Sequence, residues 1–249
     1  MAFRIHSGRK AKGAFDKLGT KALRTAAMNE SDKRLAALAA VAEVRPGMIV
    51  GLGTGSTAAF AIAALGEQVR AGLQVQAVAT SLATEASARE AGITLIEMPA
   101  RIDLTIDGAD EIDDALRAIK GAGGAMLREK VVAAASERMI VIADGSKQVA
   151  AIGAAKIPVE VLPFAQAFVA DRLADLGGAP TLRAGFTSDQ GNPILDCRFP
   201  ADIDHAALAA AIAAIPGALG HGLFLCEVDA AYIATDGVVT RLERGDAKA

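Results

Sequence analysis

From residue 48 to residue 143, short apolar runs alternate with Ala-rich stretches at helical spacing. Met48-Ile49-Val50 reads as a short buried strand, 57–69 as a helix, about 73–79 as a strand and 84–91 as a helix. Residues 93–97 and 103–106 follow as short strands, 126–137 as a helix and 139–143 as a strong strand. Strands separated by helices cannot pair as hairpins, so the alternation predicts an α/β fold: a Rossmann-like parallel sheet with helices on both faces. An earlier helix is expected from about Asn29, with Ser31 as its N-cap and Pro46-Gly47 as its stop. After about Gly153 the rhythm changes. Strands at 159–162, 181–183, 194–198 and 219–225 and helices at 164–176 and 205–215 give the order β-α-β-β-α-β, a smaller ferredoxin-like α+β unit. Residues 232–242 add one or two strands around Asp236-Gly237. The expected organisation is therefore 29–153 plus about 229–249 as one α/β domain and about 154–228 as a second.

Composition narrows the class. The chain has 249 residues, room for one large or two modest domains. It is 52% hydrophobic but only 4% aromatic, so its core is built from Ala, Val, Leu and Ile. Two cysteines exclude a disulfide scaffold or a Cys-based zinc site, and three scattered histidines make a His-rich site a poor reading. Cys197 and Cys226 read as buried thiols. No apolar run reaches the roughly 18 residues of a membrane span. The net charge of −3 with few aromatics does not suit a nucleic-acid binder. Residues 1–28 differ from the rest, holding Arg4, Arg9, Lys10, Lys12, Lys17, Lys21 and Arg24 against the single acid Asp16. They read as a disordered basic extension. An organelle presequence or sequence upstream of a start at Met28 are the alternatives.

Chemistry concentrates at strand ends. Gly51-Leu52-Gly53-Thr54-Gly55-Ser56-Thr57 joins a predicted strand to a predicted helix, where glycines allow close approach and helix amides face an anion. It lacks the Gly-Lys-Ser/Thr of a nucleotide-binding P-loop, the third glycine of a dinucleotide fingerprint and the acid expected after the next strand. Phosphate binding and a purely structural tight turn both fit it. Asp103 and the run Asp107-Gly108-Ala109-Asp110-Glu111-Ile112-Asp113-Asp114 crowd six acids at the end of another strand. Asp107 and Asp110 are placed to face a crevice, and crowding that raises a carboxyl pKa suits proton transfer. Asp113 and Asp114 read as solvated, and a divalent-metal site is a weaker reading because calcium-loop spacing is absent. Lys120-Gly121-Ala122-Gly123-Gly124-Ala125 is a second flexible loop entering a helix. Within that helix Glu129, flanked by Met126, Leu127, Val131 and Val132, is a candidate general base, and Lys120 a charge for a developing oxyanion. Asp144-Gly145-Ser146-Lys147 follows the strand at 139–143. One crevice can collect all four segments around a phosphorylated small molecule, with proton transfer that needs neither metal nor nucleotide.

Together the segments GLGTGSTAAF (51–60), DLTIDGADEID (103–113), KGAGGAMLREK (120–130) and IADGSKQV (142–149) resemble type A ribose-5-phosphate isomerases. PVEVLPFA (158–165) and GNPILD (191–196) support the resemblance, which runs from about Asp32 to Arg241. It implies a cofactor-free aldose–ketose isomerisation of D-ribose 5-phosphate and D-ribulose 5-phosphate in the non-oxidative pentose phosphate pathway. It casts Glu129 as the base that moves a proton between C2 and C1 through an enediolate. Asp107, Asp110 and Lys120 would help open the furanose ring and hold hydroxyls, with Lys120 and the amides of Gly121, Ala122 and Gly123 on the enediolate oxygen. Thr54, Gly55, Ser56, Thr57, Gly108, Ala109 and Lys147 would contact substrate, and Lys33 would reach the phosphate. The resemblance further implies a cytoplasmic homodimer or homotetramer. Residues 80–84 are looser than the family's usual Ser/Thr-rich stretch, so no site residue is carried there. A non-catalytic sugar-phosphate sensor shares the general fold but needs no base, and an acyl-CoA transferase relative would use a glutamate as nucleophile. Glu129 and Asp107 together favour the isomerase over both.

Overall fold

A computed structural model describes residues 27–200 and 202–245 of the chain, so the basic segment up to Ala26 lies outside the described residues. In chain order the first half holds α1 (27–41), β1 (Ile49–Leu52), α2 (Ser56–Arg70), β2 (Gln76–Ala79), α3 (Leu82–Glu90) and β3 (Thr94–Leu95). It continues with β4 (Leu104–Gly108), β5 (Glu111–Ile112), β6 (Ala118–Ile119), α4 (Met126–Ala135) and β7 (Met139–Asp144). The second half holds β8 (Ile157–Val161), α5 (Gln166–Asp175), β9 (Ala179–Leu182), β10 (Ile194–Arg198), α6 (His205–Ala213), β11 (Ala218–His221), β12 (Leu223–Phe224), β13 (Ala230–Thr235) and β14 (Val238–Glu243). Helix α1 already includes Ala27 and Met28, so Ser31 stands inside it and is not its N-cap. Ala, Met and Glu at 27, 28 and 30 are good helix formers and carry the helix upstream.

Seven strands form one sheet in the order β14-β13-β7-β4-β1-β2-β3, parallel except for β14 at one edge. The chain runs outward from β1 through β2 to β3, then returns to the other side of β1 and runs outward through β4, β7 and β13. The reversal falls between β1 and β4, and a crevice opens outside the strand ends at such a point. The register Leu52↔Ile106 brings those two ends level. All six residues of β7 are buried, as a strand covered on both faces requires. Its alternate residues serve two cores. Ile140 and Ile142 pack with Ala37, Val41, Ile62 and Leu65 of α1 and α2, while Met139 and Val141 pack with Ile112, Ala118 and Phe224.

The second face is covered in part by a three-stranded sheet, β12-β6-β5, whose two-residue strands carry no usable periodicity in sequence. The expected strand at 219–225 is divided accordingly. β11 belongs to a four-stranded antiparallel sheet in the order β11-β8-β10-β9, and β12 to the small sheet. The change occurs at Gly222, whose N–H donates to Pro158 O while its carbonyl accepts from Lys120 N. The four-stranded sheet with α5 and α6 is the ferredoxin-like unit, with its own core of Val159, Val161, Val169, Leu173, Leu195 and Ile212. β13 and β14 form a hairpin over Asp236 and Gly237, both at positive φ (51° and 84°), the geometry Asp-Gly favours. Buried Asp32 of α1 accepts from both turn amides, at 3.0 and 2.8 Å. Among the described residues no helix is long and apolar enough to cross a membrane.

Candidate active site

The loop after β1 packs directly on the end of β4. Gly53 N donates to Ile106 O at 2.9 Å, and a Cβ at Gly53 would overlap the Asp107 carboxylate. Gly55, at φ 110°, turns the chain into α2 without a side-chain cap, which leaves first-turn amides to an anion. The loop therefore has both of the properties its sequence allowed: it is a tight packing turn and an uncapped helix start. Hydroxyls fasten it from behind. Thr54 Oγ1 meets Thr80, Ser81 and Thr84 hydroxyls at 2.9, 2.8 and 3.1 Å, and Thr84 Oγ1 donates to Gly53 O at 2.8 Å. Sequence reasoning left 80–84 out; the available signal was three hydroxyl residues directly after β2.

The acidic run divides. Asp107 is fully buried beneath the loop, where its Oδ1 accepts from Thr54 N (3.1 Å) and Gly108 N (2.7 Å). Asp110 Oδ2 accepts from Ala122 N at 2.8 Å and so ties the two loops together. The other acids hold backbone. Asp103 accepts from Ile49 N, and Glu111 from Gly153 N and Ala155 N. Asp113 is not solvated as expected: it is 1% exposed, accepts from Ala115 N and Arg117 N, and pairs with the Arg117 guanidinium at 2.7 Å. Asp114 is exposed, as expected.

Lys120 follows β6 and points its ammonium into the middle of this arrangement. Its Nζ donates to Gly108 O and lies 2.9 Å from Asp107 Oδ2 and 3.3 Å from Glu129 Oε2. Both carboxylate contacts are ion pairs. All three side chains are 5% exposed or less. Two carboxylates thus share one cation out of water. Glu129 is pushed up to about 8, first by burial and then by the Asp107 charge, against Lys120. Burial also pushes the Asp107 carboxyl up, opposed by Lys120 and the two amides. For Lys120 burial works against the charge, yet Asp107, Glu129 and Asp110 hold its ammonium above the ordinary value. Of the two acids Asp107 has the more donors, with two backbone amides on its Oδ1.

A cavity of about 160 Å³ opens on this cluster. It is lined by Thr54, Gly55, Ser56 and Thr57 of the first loop, Gly108, Ala109 and Asp110 at the end of β4, and Lys120, Gly121, Ala122, Gly123 and Glu129. Lys33 and Lys147 also line it, with Lys33 Nζ donating to Ser56 Oγ at 3.0 Å. Asp107 alone of the expected site residues does not line it. A larger cavity of about 650 Å³ lies against Leu127, Val131 and Met98 and holds none of these groups. Cys197 is buried and its thiol is pushed up to about 12 by burial, whereas Cys226 is exposed, contrary to expectation. Cys226 follows β12 instead of continuing it, so nothing covers its side chain in the way a sheet face would.

The sequence model of a family described as ribose 5-phosphate isomerase A (phosphoriboisomerase A) matches residues 76–237. A ribose-5-phosphate isomerase A of Sphingopyxis alaskensis is 52% identical over 223 residues, 87% of this chain and 98% of that protein. One of Thermomicrobium roseum is 48% identical over 224 residues, 86% of this chain and 94% of its own length. Among solved structures, ribose 5 phosphate isomerase A from Neisseria gonorrhoeae superposes with TM-score 0.83 at 35% identity, covering 87% of this chain and 97% of that one. The enzyme from Methanocaldococcus jannaschii gives 0.83 at 36% identity over 86% and 99%.

Proposed function

The chain belongs to the ribose 5-phosphate isomerase A family, and from that premise we propose how its crevice works. The protein is an aldose–ketose isomerase that interconverts D-ribose 5-phosphate and D-ribulose 5-phosphate. The phosphate sits at the uncapped start of α2, against Ser56 and Thr57, with Lys33 beside them and Lys147 as a further contact. The sugar's first two carbons then reach Asp110, Lys120 and Glu129. Asp110, with the buried Asp107–Lys120 pair behind it, helps pass the C1 hydroxyl proton to the ring oxygen, which frees the aldehyde. Ionised Glu129 removes the C2 proton, and the electron pair moves onto the C1 carbonyl oxygen to give the enediolate. Lys120 and the amide of Gly123 stabilise that oxygen, while the amide of Ala122 is taken by Asp110. Glu129 returns its proton to C1 as the O2 proton passes to O1, and the ketose forms with no atom gained or lost.

The observation that carries this reading is the buried Glu129 carboxyl, pushed up to about 8 by burial and the Asp107 charge, on a cavity lined also by the uncapped start of α2. A sensor domain needs no such group. Ketose formation from ribose 5-phosphate by purified protein in EDTA, beside Glu129→Gln, tests it. Turnover by wild type alone is expected, and restoration of activity only by a divalent ion would contradict it. Lys147→Ala should raise KM several-fold with kcat little changed, and an unaltered KM removes Lys147 from the contacts. The reading includes a cytoplasmic homodimer or homotetramer and two domains, with 154–228 as the ferredoxin-like one. The separate cores of the parallel sheet and the four-stranded sheet support that division.

A further inference from the structure

The ferredoxin-like unit sends one charged side chain to the back of the second loop. Arg183 directly follows β9, and its N–H is tied to Ile194 O at 2.9 Å. Its guanidinium forks onto Asp196 of β10, Nε to Oδ2 at 3.0 Å and Nη2 to Oδ1. The remaining N–H groups go to the loop: Nη1 donates to Ala122 O at 3.0 Å and Gly121 O at 3.3 Å, and Nη2 to Gly121 O at 3.3 Å. All five guanidinium N–H groups therefore have acceptors. The Phe186 ring lies 5.3 Å from Cζ, and the Arg183 and Asp196 side chains are 16% and 14% exposed.

A planar trans peptide points its N–H opposite to its C=O. The Gly121 carbonyl shares its peptide with the Ala122 N–H, which donates to Asp110. The Ala122 carbonyl shares its peptide with the Gly123 N–H. Holding both carbonyls from behind fixes both amides toward the crevice, and a cation at the carbonyl end strengthens each N–H as a donor. We propose that Arg183 is a positioning residue for the isomerisation, setting the Asp110 carboxylate and the Gly123 amide through the two peptides it grips. Asp196 keeps the fork in register. Lysine cannot replace it, because one ammonium does not span Asp196 and two carbonyls.

This inference rests on the isomerase reading, and the test separates the two. Arg183→Met and Arg183→Lys are compared with wild type for kcat, KM for ribose 5-phosphate, binding of inorganic phosphate and Tm. The expected result is a kcat lowered about 100-fold in Arg183→Met, the scale of losing a preorganised donor, with at most partial recovery in Arg183→Lys. KM and phosphate affinity should stay within about threefold, since the phosphate end is built by α2 and not by this loop. If Arg183→Met fails to fold, Arg183→Lys is read by the same kcat-against-KM split. A kcat within threefold of an active wild type overturns the inference alone. A fall in kcat matched by equal loss of phosphate binding also overturns it, because Arg183 then only holds the fold together. An inactive wild type overturns both readings.

Discussion

Two lysines lie against the ring of Phe224, and they live in different company. Lys130 Nζ is 3.7 Å from the ring centroid, donates to Leu223 O and pairs with Glu227 at 2.6 Å. Lys120 Nζ is 5.4 Å from the same centroid, donates to Gly108 O and faces both Asp107 and Glu129. Around Lys130 the charges balance. Burial works against the Glu227 charge, but Lys130 holds that carboxyl below its ordinary value, and burial lowers Lys130 itself. Around Lys120 there is one carboxylate too many. The surplus charge adds to burial and sends Glu129 up to about 8. Burial of a lysine–carboxylate pair thus keeps Glu227 low, whereas a second carboxylate on the same lysine accompanies a Glu129 carboxyl held high.

The comparison can be broken at its strongest point first. Glu129→Gln keeps shape and removes the base, so kcat should fall on the order of 10³-fold while substrate binding survives. Near-wild-type turnover would remove Glu129 from the chemistry. Lys120→Met leaves two buried carboxylates with no cation, and a stability loss of about 3–5 kcal/mol together with loss of activity is expected from denaturant unfolding and assay. A variant as stable as wild type would mean the cluster is wetter than its geometry indicates. Because the base must be ionised, kcat/KM should rise with pH and level off above about 8. A profile already flat at pH 6 would contradict the raised affinity. The smallest effect belongs to the balanced pair: Glu227→Gln should cost about 1 kcal/mol, or about 2–4 °C in Tm, with kcat within about threefold. A large kcat loss there would show that the two lysines act as one unit.

The parallel sheet was legible because its strands are separated by helices and its glycine loops fall at strand ends. The ferredoxin-like unit was legible from its element order. What escaped was whatever depends on a partner far along the chain. Nothing local distinguishes Asp113, which closes a turn onto Arg117, from Asp114, which faces water. The hydroxyls of Thr80 and Thr84 acquire their role only when β2 ends beside β1 and Thr54 arrives between them. Arg183 lies some 60 residues from the carbonyls it holds, in a strand pair with its own reason to contain an Arg–Asp fork. Strands of two residues, such as β5, β6 and β12, are fixed by pairing and not by pattern. Ser31 failed as a helix start because good helix formers precede it.

The most direct measurement of the central claim is an infrared pH titration of the protein, taken as the difference between wild type and Glu129→Gln. A protonated carboxyl band present at pH 6, lost as pH rises through about 8 and absent from the variant, is the expected result. A wild type whose Glu129 is already ionised at pH 6 would contradict the account, because Lys120 would then be holding both carboxylates ionised in spite of their burial.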